Sequence, residues 1–135
     1  MKCILVITVL AAVASAQSTW TSCGAGSATV SSLALDKVPI CRGGQVCVTV
    51  NGKLTAALSD ATVELNGTFD TMTVYTATGT VENTPVSATT FRICATPPRS
   101  TWFGITTAYT LTVKNGDGSA VLCQKTDLIP ADCTA

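Results

Sequence analysis

The chain is expected to fold as an all-β, immunoglobulin-like sandwich of two antiparallel sheets, about seven strands in all, stapled by disulfides. Three observations carry this expectation. Apolar residues recur at alternate positions, and no segment after residue 16 carries a 3.6-residue apolar stripe. Charged residues are only 12% of the chain, and Thr, Ser and Ala take their place. Thr and Val suit pleated strands, whereas the charged helix formers are scarce. Six cysteines follow residue 16 and the chain has no histidine, a pattern suited to a small domain that folds in an oxidising compartment.

Residues 1–16 read as a signal peptide. Lys2 supplies the positive start, Ile4 to Val13 is nearly unbroken apolar sequence, and Ala14-Ser15-Ala16 matches the small-x-small cleavage pattern. The apolar run is shorter than the roughly 20 residues a spanning helix needs. Cleavage after Ala16 removes Cys3 and leaves residues 17–135 as a single domain, long enough to bury a core. The expected location is secreted or in an endolysosomal lumen.

The strands are expected at Ala28–Leu35, Gln45–Ala57, Ala61–Asn66, Thr68–Val81, Thr89–Cys94, Gly104–Lys114 and Ser119–Leu128. Pro39, Gly43-Gly44, Ser59-Asp60, Pro85 and Pro97-Pro98 separate them. Asn115-Gly116-Asp117-Gly118 is the sharpest turn signal, because Asn-Gly and Asp-Gly accept positive φ at low cost. It predicts a hairpin between the last two strands. Alternation places Val46, Val48 and Val50 on one face, and Ile105, Tyr109, Leu111 and Val113 on another. Val63 with Leu65, Met72 with Val74, and Phe91 with Ile93 form shorter matching sets.

Six cysteines allow fifteen pairings. The short loop between Cys41 and Cys47 contains Gly43-Gly44, and its ends are paired in this reading. Cys23 just before the first strand is paired with Cys123 in the last, closing a loop of about 100 residues worth about 4.7 kcal/mol in the chain-entropy picture. Cys94 and Cys133 remain as the third pair. No Cys-x-x-Cys spacing and no histidine is present, so neither a metal site nor any cofactor is implied.

Function classes narrow accordingly. Lys and Arg are scattered singly, which disfavours nucleic acid as a partner. The missing histidine removes the commonest general base, and Asp60, Glu64, Asp70 and Glu82 form no evident catalytic pair; an enzyme is not expected. Asn66-Gly67-Thr68 is a glycosylation sequon placed near a turn. Trp20 reads as a packing anchor beside Cys23.

Trp20-Thr21-Ser22-Cys23-Gly24 stands right after the signal. A short Cys41…Cys47 loop runs into Val48-Thr49-Val50-Asn51-Gly52, and Tyr109 to Gln124 forms a closing hairpin with its cysteine. In order and spacing these segments resemble the ML lipid-recognition domain family, which includes the Niemann-Pick type C sterol-transfer protein and the phosphatidylglycerol/phosphatidylinositol transfer proteins. The resemblance implies a soluble, monomeric carrier that holds a sterol or phospholipid between its sheets and transfers it between membranes. The lining it implies is Val48, Val50, Val63, Leu65, Val74, Phe91, Ile93, Tyr109, Leu111 and Val113. In the loop from Thr96 to Gly104, Trp102 and Phe103 either form the cavity rim and touch the bilayer transiently, or fold back to plug the sandwich end. The alternative is a secreted immunoglobulin-like structural, adhesive or inhibitor protein. A carrier is expected to show an elongated apolar gap between its sheets, and the alternative a close-packed interior.

Overall fold

The computed structural model describes residues 19–37, 40–101, 103–129, 131 and 133. The signal segment Met1–Ala16 and Trp102 lie outside the described residues. Eight strands are found among them: β1 (Thr21–Gly24), β2 (Ala28–Leu35), β3 (Val46–Leu54), β4 (Thr62–Phe69), β5 (Met72–Thr80), β6 (Thr90–Ala95), β7 (Thr107–Lys114) and β8 (Ala120–Leu128). They form two antiparallel sheets, ordered β1-β8-β7-β4-β5 and β2-β3-β6. The all-β sandwich is the expected fold.

Seven strands lie where alternation placed them, and β1 is the addition. It is short and carries no apolar alternation, so only its pairing with β8 makes it a strand. Several boundaries moved: β3 ends at Leu54 rather than Ala57, and β5 begins at Met72 rather than Thr68. β4 runs through Gly67 to Phe69 and turns at Asp70, whose φ is 63°. Asn66 therefore lies mid-strand rather than near a turn, accepting a hydrogen bond from Thr76 and donating one to Glu64. β7 begins only at Thr107, which leaves Ile105 outside the strand and 37% exposed.

The apolar sets meet in one core. Val48, Val50, Phe91 and Ile93 from the smaller sheet face Val63, Leu65, Tyr109, Leu111 and Val113 from the larger, and all are buried. In β2 the alternation slips from Ala28 and Val30 to Leu33 and Leu35. A bulge at Ser31 absorbs the slip and returns both pairs to the inner side. β5 departs from the expected parity: Tyr75 and Ala77 face inward, while Val74 is the extra residue of a bulge and only half-buried. Tyr75 is the bulkier side chain, and glycine at position 67 opposite it leaves room for its ring.

The predicted Cys23–Cys123 bond is present. The other two pairings are corrected: Cys47 joins Cys94, and Cys41 joins Cys133. Cys47 and Cys94 are directly opposed in the β3–β6 register, a pairing that Cys41–Cys47 would preclude. Cys41 is held beside the tail instead, where Arg42 N–H donates to Ala131 and Ala131 N–H donates to Ile40. The hairpin at Asn115–Ser119 forms as expected, and the Asn115 amide ties it to Ala57 and Ser59.

Candidate functional site between the sheets

The two long seams of the sandwich are unlike. On the β5–β6 side the sheets meet backbone to backbone. Val81 and Ile93 form an antiparallel bridge, and a Cβ at Gly79 would overlap the Cys94 carbonyl. This seam is closed. On the other side β2 faces β1 and β8 through side chains, and here Trp20, Val30, Leu33 and Leu35 are only half-buried against the core. Near the β1–β2 connection this seam is tied by Ser27 N–H donating to Ala120 and Thr55 N–H donating to Ser27.

Trp20 stands in this second seam. Outside it is a cleft of about 320 Å³ shared with Ser22, Val30, Leu33 and Gln124. Inside it is a wholly apolar void of about 10 Å³ bordered by Leu35, Ile40, Val46, Leu65, Ile93 and Leu111. The void is about the space one water molecule needs. The interior is therefore close-packed, not the elongated gap expected of a carrier. Trp20 separates cleft from void, so it does more than anchor Cys23. Its Nε1 is buried and has no acceptor.

The strand register arranges the inner polar groups. Gly67 pairs with Tyr75 on one side and Tyr109 on the other, and Tyr109 pairs with Thr126. The Thr126 hydroxyl donates to the Thr19 carbonyl, so the row ends beside Trp20. The two tyrosine rings meet edge to face, with centroids 5.7 Å apart. Burial raises both phenol pKa values, and for Tyr75 the neighbouring Tyr109 adds to the shift. Each phenol oxygen is buried, and beyond its tyrosine neighbour neither has a hydrogen-bond partner.

Nine of the ten residues named from sequence as lining are buried between the sheets; Val74 is the exception. Val48, Leu65, Ile93 and Leu111 border the void. Phe103, read from sequence as either rim or plug, is 46% exposed and lies under the Arg42 guanidinium, 4.3 Å from its ring centroid, so it does not plug the interior. It has company. Met72 in the β4–β5 hairpin, Ile105 before β7 and Ile129 after β8 are also exposed, and the register brings these three to the same end of the larger sheet. Thr101, beneath this loop, is fully buried and bonded to Pro98. Among the described residues no group of His, Cys, Asp or Glu side chains is placed to hold a metal ion.

No known family's sequence profile matches the chain, and no curated protein matches it in sequence. Solved structures match it in fold. The chain is similar to a Niemann-Pick type C2 protein from the Japanese carpenter ant, at 10% identity and a TM-score of 0.59, over 84% of this chain and 99% of that one. It is also similar to Spo0M, a sporulation control protein of Bacillus subtilis, at 16% identity and a TM-score of 0.46, over 82% of this chain and 51% of that one. The first likeness shows a shared fold.

Proposed function

We propose that the protein binds a lipid between its two sheets and carries it between membranes, with Trp20 at the opening. The observation that supports this most is the asymmetry of the seams. One side is joined through backbone, whereas the other is tied at its ends, by Ser27 to Ala120 and by the Cys41–Cys133 segment, and is filled between them by half-buried apolar side chains with Trp20 between an outer cleft and the core. Two disulfides act within sheets, Cys23–Cys123 across β1 and β8 and Cys47–Cys94 across β3 and β6. Each sheet is thus stiffened as a plate; the third bond, Cys41–Cys133, ties the segment before β3 to the segment after β8, so the plates would part between that tie and Ser27, beside Trp20.

A closed interior is compatible with this reading on energetic grounds. An empty apolar slot of roughly 300 Å³ would cost about 7 kcal/mol at about 24 cal/mol per Å³. That is comparable with the whole stability of a small domain, roughly 5–15 kcal/mol. A carrier of this size is therefore expected to collapse when empty. A lipid chain entering would contribute about 0.8 kcal/mol per methylene against water. The exposed Phe103, Met72, Ile105 and Ile129 offer an apolar end for brief membrane contact during loading. Trp102, outside the described residues, belongs to the same loop. The protein works as a monomer without catalysis, in a secretory or endolysosomal lumen, and Asn66 carries a glycan on the outer face of the larger sheet.

The close-packed interior favours a second reading, a secreted adhesive or inhibitory sandwich with a permanently filled core. Native mass spectrometry of the secreted protein, followed by lipid extraction, separates the two. The carrier yields a stoichiometric lipid that exchanges into vesicles. A clean unliganded mass, with no uptake of fluorescent sterol or phospholipid, would establish the second reading.

A further inference from the structure

Among the described residues four buried side-chain polar atoms have no hydrogen-bond partner: Trp20 Nε1, Ser27 Oγ, Tyr75 Oη and Tyr109 Oη. Ser27 lies at the opposite end of the sandwich, beside Ala120. The other three belong to the row that runs from Tyr75 past Gly67, Tyr109 and Thr126 to the Thr19–Trp20 segment. They account for both tyrosines of the chain and one of its two tryptophans. Buried hydroxyl and indole N–H groups are normally paired, because leaving one unmade forfeits its hydration with nothing in return. A mutual bond between the two phenols would still leave one O–H unused. The hydroxyls of Thr101, Thr107 and Thr126 nearby are all engaged with backbone carbonyls.

Resting on the lipid-carrier reading, we infer that Tyr75 and Tyr109 form a polar subsite for the uncharged oxygen of a neutral lipid, a hydroxyl or carbonyl, with Trp20 donating from the opening. Ligand charge is the deciding feature. Among the described residues no Lys, Arg, Asp or Glu is buried, so an ionised head group at this row would lose its hydration without meeting a counter-charge. A neutral oxygen loses far less and gains donors already desolvated and aimed inward. Both phenols also stay protonated through the acid and neutral range, so the subsite offers the same donors in a lysosome-like lumen as outside the cell.

The subsite sets stability against binding. Tyr75→Phe with Tyr109→Phe removes two unpaired hydroxyls while keeping both rings. The empty variant is expected to melt a few degrees higher than the parent, and to bind 1-dodecanol about tenfold more weakly with its affinity for dodecane undiminished. The parent protein is expected to prefer 1-dodecanol to laurate at pH 7. Titrations of the mature protein with these three probes, alongside thermal melts, read all of this. Unchanged dodecanol affinity in the variant, or tighter binding of ionised laurate than of dodecanol, overturns the subsite while leaving the carrier reading intact. Failure of the parent to take up dodecanol and dodecane alike overturns both. Should the double variant not fold, Tyr75→Phe and Tyr109→Phe singly carry the same comparison.

Discussion

Val81 and Ile93 are bridge partners across the two sheets, and through them the chain leaving β5 is held against β6. Val81 N–H also donates to Ala61, so this edge is fastened from both directions. The opposite edge is tied near its ends, by Ser27 to Ala120 and by the Cys41–Cys133 segment, and its side-chain-packed stretch lies at Trp20.

The joined edge should be intolerant of added bulk. Gly79→Ala would drive a methyl group into the Cys94 carbonyl, and backbone cannot step aside as a side chain can. A loss of about 1–3 kcal/mol is expected by denaturant titration. A cost near zero would show that β5 and β6 are not in close contact.

At the packed edge, Trp20 should report on the ligand. Trp102→Phe leaves Trp20 as the sole tryptophan. Its emission is expected to be quenched by a bromine-labelled lipid, and Trp20→Ala should speed lipid release several-fold. Emission indifferent to the brominated probe would remove Trp20 from the opening.

The disulfide pattern can be read directly, because trypsin separates all six cysteines. Non-reducing digestion should link peptide 43–53 to 93–99, 38–42 to 126–135, and the peptide ending at Lys37 to 115–125. A link between 38–42 and 43–53 would restore the Cys41–Cys47 pairing read from sequence.

The phenols give a pH test with a definite sign. Buried Tyr75 and Tyr109 hold their protons more tightly than in the unfolded chain, where a tyrosine ionises near about pH 10. Above that pH the unfolded chain releases protons that the folded one keeps, so stability should fall as pH rises. Below it this effect is absent. With only these two tyrosines in the chain, absorbance at 295 nm should stay flat until cooperative unfolding, then rise in one step. Gradual titration from pH 9 would mean that at least one phenol meets solvent.

Much of the architecture is legible in the residues. Alternation in β3, β4, β6 and β7 named ten of the buried inter-sheet residues, because period-two patterning follows directly from the pleat. Val74 was misplaced because a bulge shifts parity by one, and bulges leave little trace in a Thr-rich strand. β1 was missed for a related reason: its pairing is imposed by β8, not by its own composition. The place of Trp20 in the seam was not legible either, since a tryptophan beside a cysteine looks the same whether it fills a core or stands at a seam.

By itself the sequence determined which residues avoid water, where the chain must turn, and that six cysteines would close a small sandwich. These are local properties, written in spacing and side-chain chemistry. Only the tertiary structure decided which cysteine meets which, which seam is joined through backbone, and that Tyr75 and Tyr109 share one inward row ending at Thr19, next to Trp20. Those depend on strand order and register across residues as far apart as Thr19 and Thr126. Such long-range choices are settled by how the sheets pack as a whole, and no single stretch of the chain contains them.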